Sequence, residues 1–591
     1  MKIAAFFRYL LSGMPIISTL REYRLAWLSK DMIAGLSACI VMIPSVIAYA
    51  ELVHLPPIAG LYAALAASIG YAIFASSRHV IAGPDAAIGL LAGSAILPLA
   101  AGDPSRMAAL AAVLGVLSGV VLLLAARLKL GVIADLLSRP VLIGYLNGAS
   151  LVLISTQLGK MFRIKTEGED FFQLLFAVFE KLPQTHLPTF GFGVLLVLLL
   201  IALARWFPRV PGALAVCTVA IVVTFVFDLG SYGISLVGKV PSGIPQVSVP
   251  AFSISDITAL APAAVAIAFL AFSDGILLAQ TFAEKNGYEV YPNRELVALG
   301  SANILAGVWQ GFPVSASQSR TSIVDAAGGK TQVAQLVAAV GLLLFLFFLT
   351  GLIALLPRVA LGAILIVTAI GMLEAASLLE MYKVDRVEFG IAMGVTAAIL
   401  IAGVVPGIIL GLLLSLIAVL VEISRPDDAV LRKRLDDGKF HDCRDDENAV
   451  AVPGLLVYRL YAPLIFANAR HVMMRLRTLV DEAQPPIKWL VIDAQAIHDM
   501  DLTAAQRFAE LHQEFADEGI DVKIADAPRP FLEELAKVGL SEEIGSQDFF
   551  VSVKKAAEAF EQKYGVAELP VVPPKQPAEQ YPASPASGDS A

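Results

Sequence analysis

Along most of the first 424 residues the chain runs in long apolar stretches without a charged side chain. They cover 32–50, 52–77, 86–102, 107–126, 140–159, 182–204, 210–227, 257–273, 296–319, 331–357, 359–373 and 389–421. A soluble amphipathic helix would carry a polar stripe repeating every 3.6 residues, and these runs carry none. A spanning helix needs roughly 20 apolar residues, and most of the runs are that long. The run 389–421 has room for two spans, broken near Pro406-Gly407. The pattern predicts a polytopic α-helical membrane protein of about fourteen segments, two of them short.

After residue 424 the pattern changes. Residues 425–450 are dense in charge and read as a linker. Strand-like runs at 455–466, 489–497 and 521–526 then alternate with helical patterns at 468–483, 502–518, 529–538 and 550–563. Alternation of that kind predicts a small α/β domain. The predicted division is a cytoplasmic N-terminal segment 1–30, a transmembrane domain 31–424, the linker 425–450, a cytoplasmic α/β domain 451–565 and a disordered, Pro-rich tail 566–591.

Composition supports the division. The chain is 57% hydrophobic and 16% charged, with a net charge of −8. Residues 1–424 hold 24 basic and 22 acidic side chains, and the remaining 167 hold 19 and 29. Nothing is basic enough to suggest a nucleic-acid partner. Cys39, Cys217 and Cys443 lack CxxC spacing, which excludes a disulfide framework and a thiolate metal site. No HExxH, Walker loop or Gly-x-Ser-x-Gly occurs, so neither an enzyme nor a cofactor is expected. An even number of spans and basic pairs such as Arg127/Lys129, Arg205/Arg209 and Lys383/Arg386 place both termini in the cytoplasm of a cell whose inner (plasma) membrane holds the protein. Lys160, Arg163, Lys165 and Lys181 run against that rule.

The membrane part carries a faint repeat. Pro44 and Pro84 lie 40 residues apart, Asp274 and Pro313 lie 39 apart, and Val-Pro-Gly opens a span at Val210 and again at Val405. Matching interruptions in two halves point to a substrate site between them. Three ionisable groups sit inside or beside apolar runs, where each costs about 2.5–3.5 kcal/mol to insert. Asp85 follows Gly83-Pro84 at the head of a helix, where it either caps that helix or carries a proton. Asp274 lies within a span, either as a structural partner of Arg320 or as a titrating carboxylate. Arg320 follows Ser315, Ser317 and Ser319 at the start of a short helix. Two helices starting near mid-membrane would aim their positive ends and free N–H groups into one space, an anion site made of backbone.

These residues also carry a resemblance. Ile43-Pro44, Ala48-Tyr49-Ala50, Leu55-Pro56-Pro57 and Gly60-Leu61-Tyr62 resemble the signature of SulP anion permeases. Ser76-Ser77-Arg78-His79, Pro292-Asn293-Arg294-Glu295-Leu296, Gly311-Phe312-Pro313 and Gly328-Gly329-Lys330-Thr331-Gln332 extend it over nearly the whole chain. The 455–560 region looks like the family's STAS domain. The resemblance implies two inverted seven-helix repeats divided into core and gate, a homodimer, and an elevator-like movement. It also implies an anion held between segments 3 and 10 and flanked by segments 1 and 8. On this chain that lining is Ser45, Tyr49, Asp85, Ala86, Ser317, Gln318, Ser319 and Arg320, with Asp274 coupling transport to a cation. Thr503 stands at the position of a phosphorylatable residue in related domains, and also reads as a helix cap after Asp501.

Several positions depart from the family pattern. Ala59 stands where an aromatic residue is usual, Ser45 is small, and Asp85 replaces a neutral residue. Leu278 stands where sodium-coupled bicarbonate members have a threonine, which favours proton coupling or exchange over sodium. The expected function is secondary active transport of an inorganic anion, with sulfate first. Bicarbonate or a C4-dicarboxylate is the alternative on the same site. A membrane sensor or scaffold acting through a cytoplasmic partner of the STAS domain is the alternative of another class.

Overall fold

The structure, a computed structural model, describes residues 15–131, 138–164, 171–207, 210–238, 240–245, 247, 253–435, 437–442, 449–537 and 539–565. The tail 566–591, residues 1–14 of segment 1–30, and Lys165, Arg209 and Cys443 lie outside the described residues. The chain divides into two compact units, Met1–Leu416 and Ile417–Ala591.

Among the described residues of the membrane part, fourteen helices match the apolar runs. The first seven are α1 (Leu25–Leu52), α2 (Pro57–Phe74), α3 (Ala86–Ala100), α4 (Pro104–Arg127), α5 (Arg139–Phe162), α6 (Leu187–Trp206) and α7 (Gly212–Phe227). The second seven are α8 (Ile254–Asn286), α9 (Pro292–Val308), α10 (Gln318–Ala326), α11 (Val333–Phe348), α12 (Arg358–Met372), α13 (Arg386–Ala402) and α14 (Val404–Ser424). Among the described residues, eight helical stretches are long and apolar enough to span a bilayer unaided. The 9 residues of α10 rise only about 13 Å, less than half of a hydrocarbon core of about 30 Å.

The packing is reciprocal between the halves. Helix α1 packs on α11 as α8 packs on α4, and α5 packs on α13 as α12 packs on α6, while α2 meets α9 and α5 meets α12. Exchanging helix n for n+7 leaves this pattern unchanged, which is the signature of an inverted repeat. The same contacts separate a first set (α1–α4 and α8–α11) from a second (α5–α7 and α12–α14). We call the face where α1 begins proximal and the opposite face distal.

Two short strands mark the symmetry centre. β1 (Ala82–Gly83) precedes α3, and β2 (Ser315–Ala316) precedes α10. They pair antiparallel, Ala82 opposite Ala316 and Gly83 opposite Ser315. Irregular backbone at membrane depth persists only where protein satisfies its polar groups. Here buried side chains do so. The Asn303 amide donates to Val314 O and accepts from Val314 N, both at 2.9 Å. Gln332 donates to Ser77 O at 2.8 Å and Val80 O at 3.1 Å, Gln335 donates to Ala82 O at 3.1 Å, and the Thr321 hydroxyl accepts from Ile81 N at 3.0 Å.

Near the proximal face, Glu295 is 1% exposed and gathers four donors: Tyr71 Oη, Ser76 N, Ser76 Oγ and Ser77 N. That carboxylate fixes the loop leaving α2 against the start of α9. Asp31 plays a similar part, accepting from Lys330 N at 2.6 Å and from Thr331 Oγ1 at 2.7 Å.

The second unit is an α/β domain. A five-stranded sheet runs in the order β10-β9-β8-β7-β3. Its strands are β3 (Asp428–Val430), β7 (Leu455–Leu460), β8 (Trp489–Asp493), β9 (Asp521–Ala525) and β10 (Phe549–Phe550). The parallel crossovers use α15 (Phe466–Asp481) and α16 (Leu502–Asp517). The segment 425–450, expected to be a linker, supplies the antiparallel edge strand β3 and a second sheet of β4 (Arg432–Arg434), β5 (Phe440–His441) and β6 (Ala449–Val450). The reason is alternation beneath the charge: Ala429 and Leu431 are buried while their charged neighbours point outward.

The helix starts at mid-membrane

The starts of α3 and α10 are built differently. At α3, the Asp85 carboxylate accepts from Ala87 N at 3.3 Å and caps the helix. At α10, Ser317 occupies the cap position but makes no capping bond. Its hydroxyl lies 3.4 Å from Ser319 Oγ, and its N–H donates to Ile81 O at 3.0 Å. Gln318 and Ser319 are exposed, and Arg320 is 1% exposed. Among the described residues, no side chain therefore caps the first-turn N–H groups of α10, where Gln318 and Ser319 are exposed.

Arg320 joins the two starts. Its Nη2 donates to Pro84 O at 2.8 Å, which holds the guanidinium against the backbone just before Asp85. Its buried Nε makes no hydrogen bond among the described residues. A buried unpaired donor costs free energy unless something accepts from it, about 1–3 kcal/mol and more when charged. Gly83 leaves this approach unhindered, since a Cβ there would lie 3.2 Å from Arg320 Nη2.

The other anticipated residues lie on neighbouring helices. Ser45 and Tyr49 sit one turn apart on α1, and the Ser45 hydroxyl bonds back to Met42 O at 2.9 Å. Buried Tyr49 lies within electrostatic range of both Asp85 and Arg320. Ala86 is buried in the first turn of α3. Asp274 projects from α8 beside β2: the Ser315 hydroxyl reaches Ala271 O at 3.5 Å, and a Cβ on Gly275 would lie 3.6 Å from that of Ala316. Half-buried Asp274 has no ion-pair partner among the described residues, and Asp85 is the carboxylate within its electrostatic reach.

One residue escapes sequence reasoning. Tyr145 on α5 is buried, its hydroxyl has no partner among the described residues, and it lies in the field of Asp274 and Asp85. It brings the second helix set to the site. As a lone tyrosine in an apolar run it gives no charge signal. In the second unit, Thr503 is exposed and is not a cap. Asp501 caps α16 instead, accepting from Ala504 N at 2.8 Å. Asp501 holds the extended backbone of the cap position, whereas Thr503 already lies inside the helix.

Fourteen helices in two inverted sets, with paired broken helices at the centre, define a polytopic membrane transporter. The chain belongs to the sulfate permease family, whose sequence profile matches residues 28–395, and the STAS domain profile matches residues 448–556. A probable sulfate transporter of Mycobacterium tuberculosis is 38% identical over 549 residues, covering 93% of this chain and 98% of the relative. Sulfate transporter 1.1 of Arabidopsis thaliana is 26% identical over 568 residues, covering 92% of this chain and 87% of the relative. Among solved structures, the murine solute carrier 26 member A9 anion transporter superposes with a TM-score of 0.85 at 21% identity, covering 94% of this chain and 95% of that one. The transmembrane domain of the cyanobacterial bicarbonate transporter BicA gives 0.58 at 20% identity, covering 67% and 98%.

Proposed function

We propose that the chain is a secondary active carrier of inorganic anions, with sulfate foremost, driven by protons or by exchange rather than by sodium. The observation that carries this reading is Arg320. It is a buried guanidinium anchored on one side by Pro84 O and unpaired on the other, beside the uncapped start of α10. A cation and free N–H groups together suit a small oxyanion. The binding residues are then Arg320, Gln318 and Ser319, with Ser317 buried at the cap position beneath them and Ala86, Ser45, Tyr49 and Asp85 as walls. The 38% identity to a probable sulfate transporter supports sulfate as the cargo.

Asp274 supports proton coupling. A carboxylate without a cation partner, close to a second carboxylate, is suited to take up a proton as it moves with the cargo. Displacement of the first helix set against the second supplies alternating access. The carrier sits in the cell's inner membrane as a homodimer, with both termini cytoplasmic. The STAS domain acts as its regulatory module through a cytoplasmic partner, with exposed Thr503 open to modification.

Labelled sulfate uptake into proteoliposomes under an inward proton gradient tests the reading. Saturable uptake that collapses with the gradient, and loses its gradient dependence in Asp274→Asn, is expected. Sodium-dependent uptake would refute the coupling. Absence of sulfate uptake by folded protein would move the cargo to bicarbonate or a C4-dicarboxylate. The Asp85 carboxylate beside the site is the observation that favours this second reading.

A further inference from the structure

Lys160 is among the basic residues that the charge bias between faces does not explain. It ends α5 on the distal face, and its Nζ lies 2.5 Å from Oε2 of Glu51 at the end of α1. The two side chains are 29% and 13% exposed, so the pair is partly desolvated. Its position is what distinguishes it. Arg106–Asp256 and Lys285–Asp325 stay within the first helix set, and Arg139–Glu380 stays within the second. Glu51–Lys160 ties one set to the other.

The pair stands at the wall of a cavity of about 450 Å³ that straddles the boundary between the sets. Pro57 and Pro104 line it from the starts of α2 and α4, and Arg358 lines it from the start of α12, with His54 at the end of the loop turn after α1. Among the described residues, two permanent cations, Lys160 and Arg358, and one carboxylate, Glu51, thus line the same cavity. Two cations around one carboxylate leave a net positive field that attracts small anions.

Resting on the anion-carrier reading, we infer that this cavity is an entry vestibule for a divalent inorganic oxyanion, with Glu51 as the resident counter-ion of Lys160. The arriving anion pairs with Lys160 and Arg358 and displaces Glu51. Losing that ion pair unties the two helix sets, so arrival of cargo on the distal face and release of the sets become one event.

The test uses the full chain, with Lys160 as its own reporter. Its amine is modified by an acylating reagent, the extent is read by mass spectrometry, and sulfate is the probe. Glu51→Gln should speed acylation about fivefold, the scale of a partly exposed ion pair. Sulfate should then slow it by a similar factor, while sodium chloride of equal ionic strength should not. Acylation indifferent to sulfate overturns the vestibule, whether or not the protein carries sulfate. A wild type that shows protection but no uptake keeps the vestibule and counts against the carrier reading alone. In transport, Lys160→Gln should raise the KM for sulfate and Glu51→Gln should lower it. Changes of equal sign would mean a structural ion pair and overturn the proposal. The swapped pair, Glu51→Lys with Lys160→Glu, keeps the tie and controls for folding.

Discussion

The two helix starts at the centre of the membrane unit share a position in the repeat and differ in chemistry. The start of α3 brings its own anion: Asp85 caps it and occupies Ala87 N. The start of α10 brings a cation and two exposed polar residues, and no side chain caps it. The symmetric backbone supplies two positive helix ends, but the side chains assign them different tasks. One is neutralised and serves as an anchor, lending Pro84 O to the guanidinium of the other. The anion's attraction is thereby concentrated at α10, and α3 sets where Arg320 points.

If α10 holds the attraction, Arg320→Ala has the largest effect. It removes the full charge and its donors, and we expect kcat/KM for sulfate to fall about a hundredfold or more, near 3 kcal/mol. Arg320→Lys keeps the charge without the fork and should recover only part of it. Thermal stability measured alongside separates loss of binding from loss of fold. The anchor is tested next by Gly83→Ala. Gly83 is not in the left-handed region, so the added Cβ brings no backbone strain and acts through its 3.2 Å approach to Nη2. Displacing the guanidinium should lower sulfate affinity about tenfold. Affinity unchanged by that methyl would mean the α3 side does not position Arg320.

Much of this contrast is visible in the sequence, because charge inside an apolar run is conspicuous. Asp85, Asp274 and Arg320 stand out for that reason, and the apolar runs map onto the fourteen helices. What sequence conceals is the uncharged scaffold. Asn303, Gln332, Gln335 and Thr321 lie within or beside charge-free runs and hold the broken backbone by amide and hydroxyl bonds. The partners of Gln332, Gln335 and Thr321 are carbonyls and an N–H group some 240–255 residues away, and that of Asn303 lies across a turn 11 residues on, so no local pattern announces them. Tyr145 is hidden in the same way. In the second unit, dense charge in 425–450 conceals the alternation that makes β3, and Asp501 rather than Thr503 takes the cap because only the three-dimensional turn decides which oxygen meets Ala504 N.

A smaller effect, of opposite sign, is expected from Asp85→Asn. Asparagine caps a helix as well as aspartate, so α3 should persist. Only the negative charge beside the anion is lost. Sulfate affinity should rise about fivefold, near 1 kcal/mol at a partly solvated site. The KM for sulfate at fixed pH reads this directly. A fall in affinity would assign Asp85 to proton carriage instead of neutralising the α3 start.

The smallest effect separates two serines two residues apart. Ser317 is buried at the cap position of α10, and its hydroxyl is oriented towards Ser319. Ser319 is exposed on the first turn, where a hydroxyl can donate to a ligand. Removing one neutral hydrogen bond to a charged partner costs about 1 kcal/mol or less at a solvated site, so Ser319→Ala should weaken sulfate about threefold. Ser317→Ala should act chiefly on stability, because its hydroxyl is enclosed by protein. Equilibrium sulfate binding and thermal unfolding, measured on both variants, decide between these assignments. If Ser317→Ala weakens sulfate more than Ser319→Ala does, the anion lies deeper, towards β2 and Ser315, and the binding turn of α10 begins one residue earlier than its exposed face.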